Sequence, residues 1–291
     1  MLPRWLIFTI LALLSWGLWA IVSKLIGESV TAAQSQALST IGLVPVMLLL
    51  AFSKKTSSPG SKGRGSLLAF IAGCLTCAGN VAYYHALNLG GKAATVVPLT
   101  ALYPLVTILL ALLFLRERLN NIQIAGMGLS FVAIYLFNIT SMEGMASKWL
   151  LYALVPILLW GISGLVQKIS TNHIPGELSA LWFLSAFVPA GILILIFEPL
   201  STSLSLRTWT LVAALGLFLS LGNFSILLAF ASTGKASIIA PLAGLYPLVS
   251  VPIAIFFLGE KIGQRELAGI FVALLSVVAL AWEKPGAASN T

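Results

Sequence analysis

The sixteen residues from Gly91 to Val106, GKAATVVPLTALYPLV, recur from Gly234 to Val249 as GKASIIAPLAGLYPLV, with two prolines and the Tyr-Pro pair in register. A second pair of segments, SWGLWAIVSK (Ser15 to Lys24) and LWGISGLVQK (Leu159 to Lys168), repeats at almost the same distance. The offset is 144 at Trp16/Trp160, Lys24/Lys168 and Pro45/Pro189, and 143 from Gly79/Gly222 through Gly126/Gly269, so one residue is lost in the loop between. Self-similarity over this length requires a fold made of two copies of one unit. It also decides how the apolar segment after Arg4 is read. That segment has the small residues of a secretory leader, yet it is half of a repeat and is expected to stay in the fold.

Composition says what the unit is made of. Of 291 residues, 59% are hydrophobic and 8% charged, and the mean hydropathy is +1.04, more apolar than a soluble domain can bury. A helix crosses the hydrocarbon core in roughly 20 apolar residues. Ten runs of that kind are present, from Trp5–Ile26 to Arg265–Glu283. The expected fold class is an all-α membrane protein with ten transmembrane helices. Five spans per repeat is an odd number, so the second repeat enters from the opposite side and the two are inverted about an axis in the membrane plane. The expected units are residues 1–143, residues 144–283 and a disordered cytoplasmic tail at 284–291. With the N-terminus inside, ten lysines and arginines face the cytoplasm and six face out, which puts both termini in the cytoplasm, in a cell (inner) membrane. The net charge of +8 is then a topology signal with some attraction to anionic lipid, and nucleic acid is not an expected partner.

Inverted repeats with interrupted helices build a solute site near the midplane of many carriers. Pro98 and Pro104, with Pro241 and Pro247, remove backbone donors inside spans four and nine. The freed carbonyls need partners, which is tolerated where a helix lines a cavity. Tyr103 and Tyr246 each precede a proline and place a phenol at the interruption.

The chain resembles the drug/metabolite transporter superfamily, and within it the ten-helix transporters of the EamA type. The resemblance runs through the Trp-Gly pairs of spans one and six, the lysine ending each, and the segments FLRERLNNIQIAG (Phe114 to Gly126) and FLGEKIGQRELAG (Phe257 to Gly269). It implies a compact carrier with a central cavity that moves small metabolites, often amino acids or other compounds to be exported.

The candidate substrate-binding residues are Trp16, Trp19, Asn80, Tyr83, Tyr103, Trp160, Asn223 and Tyr246. Trp16 and Trp160 lie deeper than Trp5, Trp149, Trp209 and Trp282, which sit where interfacial anchors sit. Asn80 and Asn223 either bond between helices or meet solute. Trp19, Tyr83 and Tyr84 face Ser163, Ile226 and Leu227 across the repeat, and such unmatched groups are where an asymmetric solute is told apart. His85 is placed near a span end, where interfacial roles prevail. Lys24 and Lys168 either snorkel to headgroups or act as gates on opposite sides. Glu117 and Glu260 are expected to cap helices or pair with the adjacent Arg118 and Lys261.

Absences narrow the function. The sequence has no aspartate, and its glutamates lie in loops or at span ends. A proton-coupled exporter of organic cations keeps a carboxylate in the membrane, so a neutral or zwitterionic solute, amino-acid-like and exported by alternating access, fits better. Cys74 and Cys77 stand in an apolar helix without a second pair, and packing is their expected role. Two histidines without aspartate supply neither a metal site nor a hydrolytic triad; no catalytic role, cofactor or metal is expected. The alternatives are a sugar-phosphate or nucleotide-sugar exchanger, for which Lys24, Lys92, Lys168 and Lys235 are the candidate cations, and a channel or scramblase.

Overall fold

The computed structural model describes residues 3–27, 29–53, 62–114, 120–138, 148–200, 203–232 and 236–282. The tail expected at 284–291, Glu117, Lys235 and most of the basic loop from Ser53 to Gly65 lie outside the described residues.

Apolar sequence in lipid must satisfy its backbone internally, and the described residues do so with helices. They are α1 (Arg4–Ile26), α2 (Ala32–Ala51), α3 (Lys62–Asn88), α4 (Ala93–Thr100), α5 (Pro104–Phe114), α6 (Asn121–Asn138), α7 (Lys148–Thr171), α8 (Gly176–Ser185), α9 (Phe187–Phe197), α10 (Leu206–Ala231), α11 (Ala236–Ala243), α12 (Pro247–Phe256) and α13 (Gln264–Ala281). Counting α4 with α5, α8 with α9 and α11 with α12, eight stretches among the described residues are long and apolar enough to cross a membrane. The protein is an integral membrane protein. Its outward surface agrees: Phe52, Phe197 and Phe256 are at least 80% exposed, side chains that acyl tails solvate and water does not.

Local sequence sets the helix ends. Thr31 and Gln34 form a capping box at the start of α2, the Thr31 hydroxyl accepting from the Gln34 amide N–H and the Gln34 side chain from that of Thr31. Asn120 accepts from the backbone of Ile122 and Gln123 before α6, and Ser205 accepts from Thr208 before α10. Glu260 reaches across to α4, where its two carboxylate oxygens accept from the N–H groups of Ala93 and Ala94 at 2.8 Å each. Charge and helix dipole cooperate in that cap. Beside it Lys92 and Glu266 form an ion pair at 2.8 Å.

Two of these membrane-length stretches break, one between α4 and α5 and one between α11 and α12. The breaks are tightened turns: N–H groups of Leu102, Tyr103, Leu105 and Val106 each donate to the carbonyl three residues back, as do those of Leu245, Tyr246, Leu248 and Val249. Pro104 and Pro247 open the second segments, where a missing N–H and a fixed φ cost nothing. Pro98 and Pro241 sit inside α4 and α11 without ending them. A third break, between α8 and α9 at Ala186, differs from the continuous seventh run read in the sequence. Pro189 has no N–H for the Ser185 carbonyl, and the helix yields there. Pro45, its counterpart, stays inside α2.

The halves touch through mirrored small residues. A Cβ on Gly17 would meet Val249 and the Tyr246 carbonyl, and one on Gly161 would meet Val106 and the Tyr103 carbonyl. Gly73 lies against the Phe183 carbonyl and Gly216 against that of Ser39. Without side chains at these points, backbones approach as membrane helices prefer. The α4/α5 and α11/α12 breaks also meet, since Gly244 abuts Pro104 and the Ala101 carbonyl. On the periphery α6 lies along α13, joined by Ser130 and Ser276, whose hydroxyls are 2.6 Å apart.

Candidate functional site: a central aromatic cavity

Between the halves lies a partly open cavity, with about 530 Å³ of space not filled by protein atoms when the region continuous with its mouth is counted. Seven of the eight candidate residues line it: Trp16, Trp19, Asn80, Tyr103, Trp160, Asn223 and Tyr246. The eighth, Tyr83, does not. It is fully buried and stacks behind Trp19 with ring centroids 4.9 Å apart.

The aromatic wall is held by reciprocal contacts. Trp16 stands edge-on to Tyr103 and Tyr246 at 6.5 and 6.4 Å, and Trp160 stands edge-on to Tyr103 at 6.3 Å. These are favoured geometries for ring quadrupoles. The Tyr103 hydroxyl donates to the Ala240 carbonyl at 3.3 Å, and the Tyr246 hydroxyl lies 3.4 Å from the Val97 carbonyl and 3.1 Å from the Thr100 hydroxyl. Ala240 and Val97 each precede a proline and correspond across the repeat. Each tyrosine thus adds a bond to a carbonyl beside the proline of the other half, one that already accepts from its own backbone, and ties one interrupted helix to the other.

Glycine admits the two deep indoles. A Cβ on Gly79 would overlap the Trp160 ring, and one on Gly222 would overlap the Trp16 ring. Beyond them the symmetry ends. In the first half, the Trp19 indole donates to the Tyr84 hydroxyl at 3.1 Å and packs on Tyr83, Tyr84 and Trp160. In the second half, Ser163 replaces Trp19. Its hydroxyl donates to the Ala72 carbonyl at 2.9 Å, accepts from Gln167 at 3.1 Å and lies 2.9 Å from the Thr76 hydroxyl.

Thr76, Ser163, Gln167, Leu219, Ile226 and Phe230 also line the cavity and were not singled out in the sequence. Their spacing carries the signal: Thr76 is one turn before Asn80, Ser163 and Gln167 follow Trp160 by three and seven, and Leu219, Asn223, Ile226 and Phe230 form one helical stripe. Among the described residues no charged side chain lines the cavity.

The gate candidates lie elsewhere. Lys24 donates to the Gly91 carbonyl at 3.0 Å, and Lys168 donates to the Phe230 carbonyl at 2.9 Å. Each ammonium serves backbone at the end of its span. His85 packs on Tyr152, ring centroids 4.3 Å apart, and does not line the cavity.

A family model for EamA-like transporters matches residues 3–139 and 147–282. The chain belongs to the EamA-like transporter family. This EamA-like transporter is 25% identical over 203 residues to an uncharacterized transporter of Archaeoglobus fulgidus, the match covering 69% of this chain and 70% of that one. It is 28% identical over 136 residues to an uncharacterized protein of Methanocaldococcus jannaschii, covering 47% of this chain and 97% of that protein. A solved crystal structure shares its fold with a TM-score of 0.69 at 16% identity, over 94% of each chain. The family implies membrane transport of a small solute across a lipid bilayer.

Proposed function

We propose that this EamA-like transporter is a secondary carrier that moves a small neutral or zwitterionic, amino-acid-like metabolite by alternating access, in the direction of export. The observation that carries the reading is the central cavity, aromatic and uncharged, set where the two halves meet. A solute with net charge would find no counter-ion among the described residues that line it, and a buried unpaired charge is costly.

The alternating-access part rests on an inverted arrangement of ten spans, α6 and α13 among them. The contacts at helix ends support it. The end of α1 meets the start of α4 through Lys24 and Gly91, that of α7 meets the end of α10 through Lys168 and Phe230, and Asn120 before α6 donates to the Trp282 carbonyl after α13. All fit strict alternation between two membrane faces. The cavity reaches Gln167 and Phe230, near the helix ends that alternation puts on the side of Arg4. If that side is the cytoplasm, solute for export loads from it.

The sugar-phosphate alternative wants cations in the cavity, and neither Lys24, Lys92 nor Lys168 lines it. Counterflow in proteoliposomes tests the reading, with labelled neutral amino acids, sugars, nucleosides and sugar phosphates, each with and without a proton gradient. Saturable exchange of a neutral or zwitterionic solute, indifferent to the gradient, is expected. Exchange confined to phosphates or cations, or a rate that never saturates, overturns it.

A further inference from the structure

The two halves carry the same triplet, Trp16 with Gly222–Asn223 and Trp160 with Gly79–Asn80, in the same packing of indole on glycine. They differ in how their polar atoms are used. The Asn223 side-chain amide donates to the Leu219 carbonyl one turn back on its own helix, at 2.8 Å. The Asn80 side-chain amide, on a residue 1% exposed, has no acceptor among the described residues, and neither has the buried Trp160 indole N–H. Both residues line the cavity, and the Trp160 nitrogen lies against Gly79, the residue before Asn80. Burying a donor without an acceptor is destabilising, because its bond to water is lost and nothing replaces it. Two such donors, both buried on residues that line the cavity, form a subsite that is complete only when an acceptor reaches them.

We infer that Asn80 and Trp160 form an oxygen-acceptor subsite that holds a carboxylate or carboxamide of the solute through Asn80 Nδ2 and Trp160 Nε1. The inference rests on the carrier reading above and names the chemical class of its solute. Two N–H donors suit a planar group with oxygen lone pairs. With no cation among the described residues that line the cavity, a free carboxylate enters only when the solute supplies its own positive charge, as a zwitterion does; a carboxamide enters without one. The ammonium end of a zwitterion meets the faces of Trp16, Trp19 and Tyr103, which attract cations through their quadrupoles. The wall of Leu219, Ile226 and Phe230 takes an apolar side chain. A simple amine satisfies the rings and leaves both donors empty, so the subsite discriminates against it.

Full-length protein in proteoliposomes is titrated with L-leucine, neutral 4-methylpentanamide and isopentylamine, which share one isobutyl group and offer the donors a zwitterion's carboxylate, an uncharged carboxamide and no acceptor. Two further acid, amide and amine sets of smaller and larger side chain accompany them. Tryptophan emission reports binding and counterflow reports transport. Acids and amides are expected to bind, and the matched amines about tenfold more weakly or worse, the equivalent of one lost hydrogen bond. Asn80→Ala and Trp160→Phe each weaken acid binding by about tenfold, with thermal unfolding confirming that both variants fold. The loss is larger for Asn80→Ala than for Asn223→Ala, because the Asn223 donor is already engaged. Asn80→Asp reverses the order, favouring amines over acids. Amines bound as tightly as acids, or equal losses at Asn80 and Asn223, overturn the subsite while leaving the carrier intact. A panel with no binding or exchange by any member overturns the amino-acid-like solute and the subsite with it.

Discussion

Two mirrored quartets of side chains show how one folding unit, used twice, produces a site without symmetry. In the first half Trp19, Ser23, Tyr83 and Tyr84 pack into a closed aromatic cluster: Trp19 stacks on Tyr83, its indole donates to Tyr84, and the Ser23 and Tyr83 hydroxyls lie 3.4 Å apart. Their counterparts are Ser163, Gln167, Ile226 and Leu227, and the first three of these line the cavity. The backbone provides equivalent places in both halves. Large rings fill one place and small or aliphatic residues leave the other open, so the duplicated scaffold holds a cavity displaced toward one end. Side-chain volume creates this asymmetry, and four positions are enough to carry it.

Exchanging residues across the repeat is the strongest way to break the contrast. Ser163→Trp puts the first half's ring where the second half is open. It is expected to fill the cavity and bring counterflow down to the level of protein-free vesicles, while the purified protein still runs as one folded species on gel filtration. Retained transport in a folded Ser163→Trp protein would show that solute passes elsewhere.

Truncating the closed side comes next. Trp19→Ala empties a site that is 3% exposed and removes three ring contacts, so thermal unfolding in detergent is expected to report a loss of about 3 kcal/mol, mostly cavity and lost packing. Ser163→Ala on the open side removes a hydroxyl rather than volume. It leaves the Ala72 carbonyl and the Gln167 amide short of partners, for about 1–2 kcal/mol. Similar losses at the two positions would mean that the aromatic cluster is not the better packed of the pair.

Much of this was legible before the structure. The repeat offset pairs Trp16 with Trp160 and Tyr103 with Tyr246, and hydropathy places them inside spans, so a shared central site follows from the chain alone. In sequence Tyr83 is polar, deep and unmatched, which suits a solute contact, but those properties fit a ring stacked behind Trp19 equally well. Only packing separates the two. Thr76, Ser163 and Gln167 do not stand out in the sequence, because hydroxyls and amides are common inside membrane helices, where most serve their own backbone. The break at Ala186 was hidden because Pro45 and Pro189 look alike in sequence, and only one of them opens its helix.

Smaller effects sharpen the symmetric part. Tyr103→Phe and Tyr246→Phe each remove one hydroxyl while keeping the ring, and about 1 kcal/mol is expected from either. The Tyr246 loss should be the greater, since its hydroxyl also lies beside Thr100. Thermal unfolding of both single variants and the double variant checks this. A double loss well beyond the sum would indicate that the two bonds close the interrupted helices as one unit.

The smallest contrast is between the two span-ending lysines. Lys24→Met and Lys168→Met keep the aliphatic stem and remove the ammonium, and both side chains are half-exposed, so each is expected to lower stability by less than about 1 kcal/mol. The carbonyls they serve differ in position. Lys24 holds Gly91 in the turn between α3 and α4, away from the cavity, whereas Lys168 holds Phe230, which lines it. Lys168→Met is therefore expected to slow counterflow and Lys24→Met to leave it near the wild-type rate. Equal slowing by both would give the two lysines matching duties at opposite faces, as gates related by the repeat. Slowing by Lys168→Met alone would make its part in transport a consequence of where the cavity lies, with the same backbone bond serving only stability in the other half.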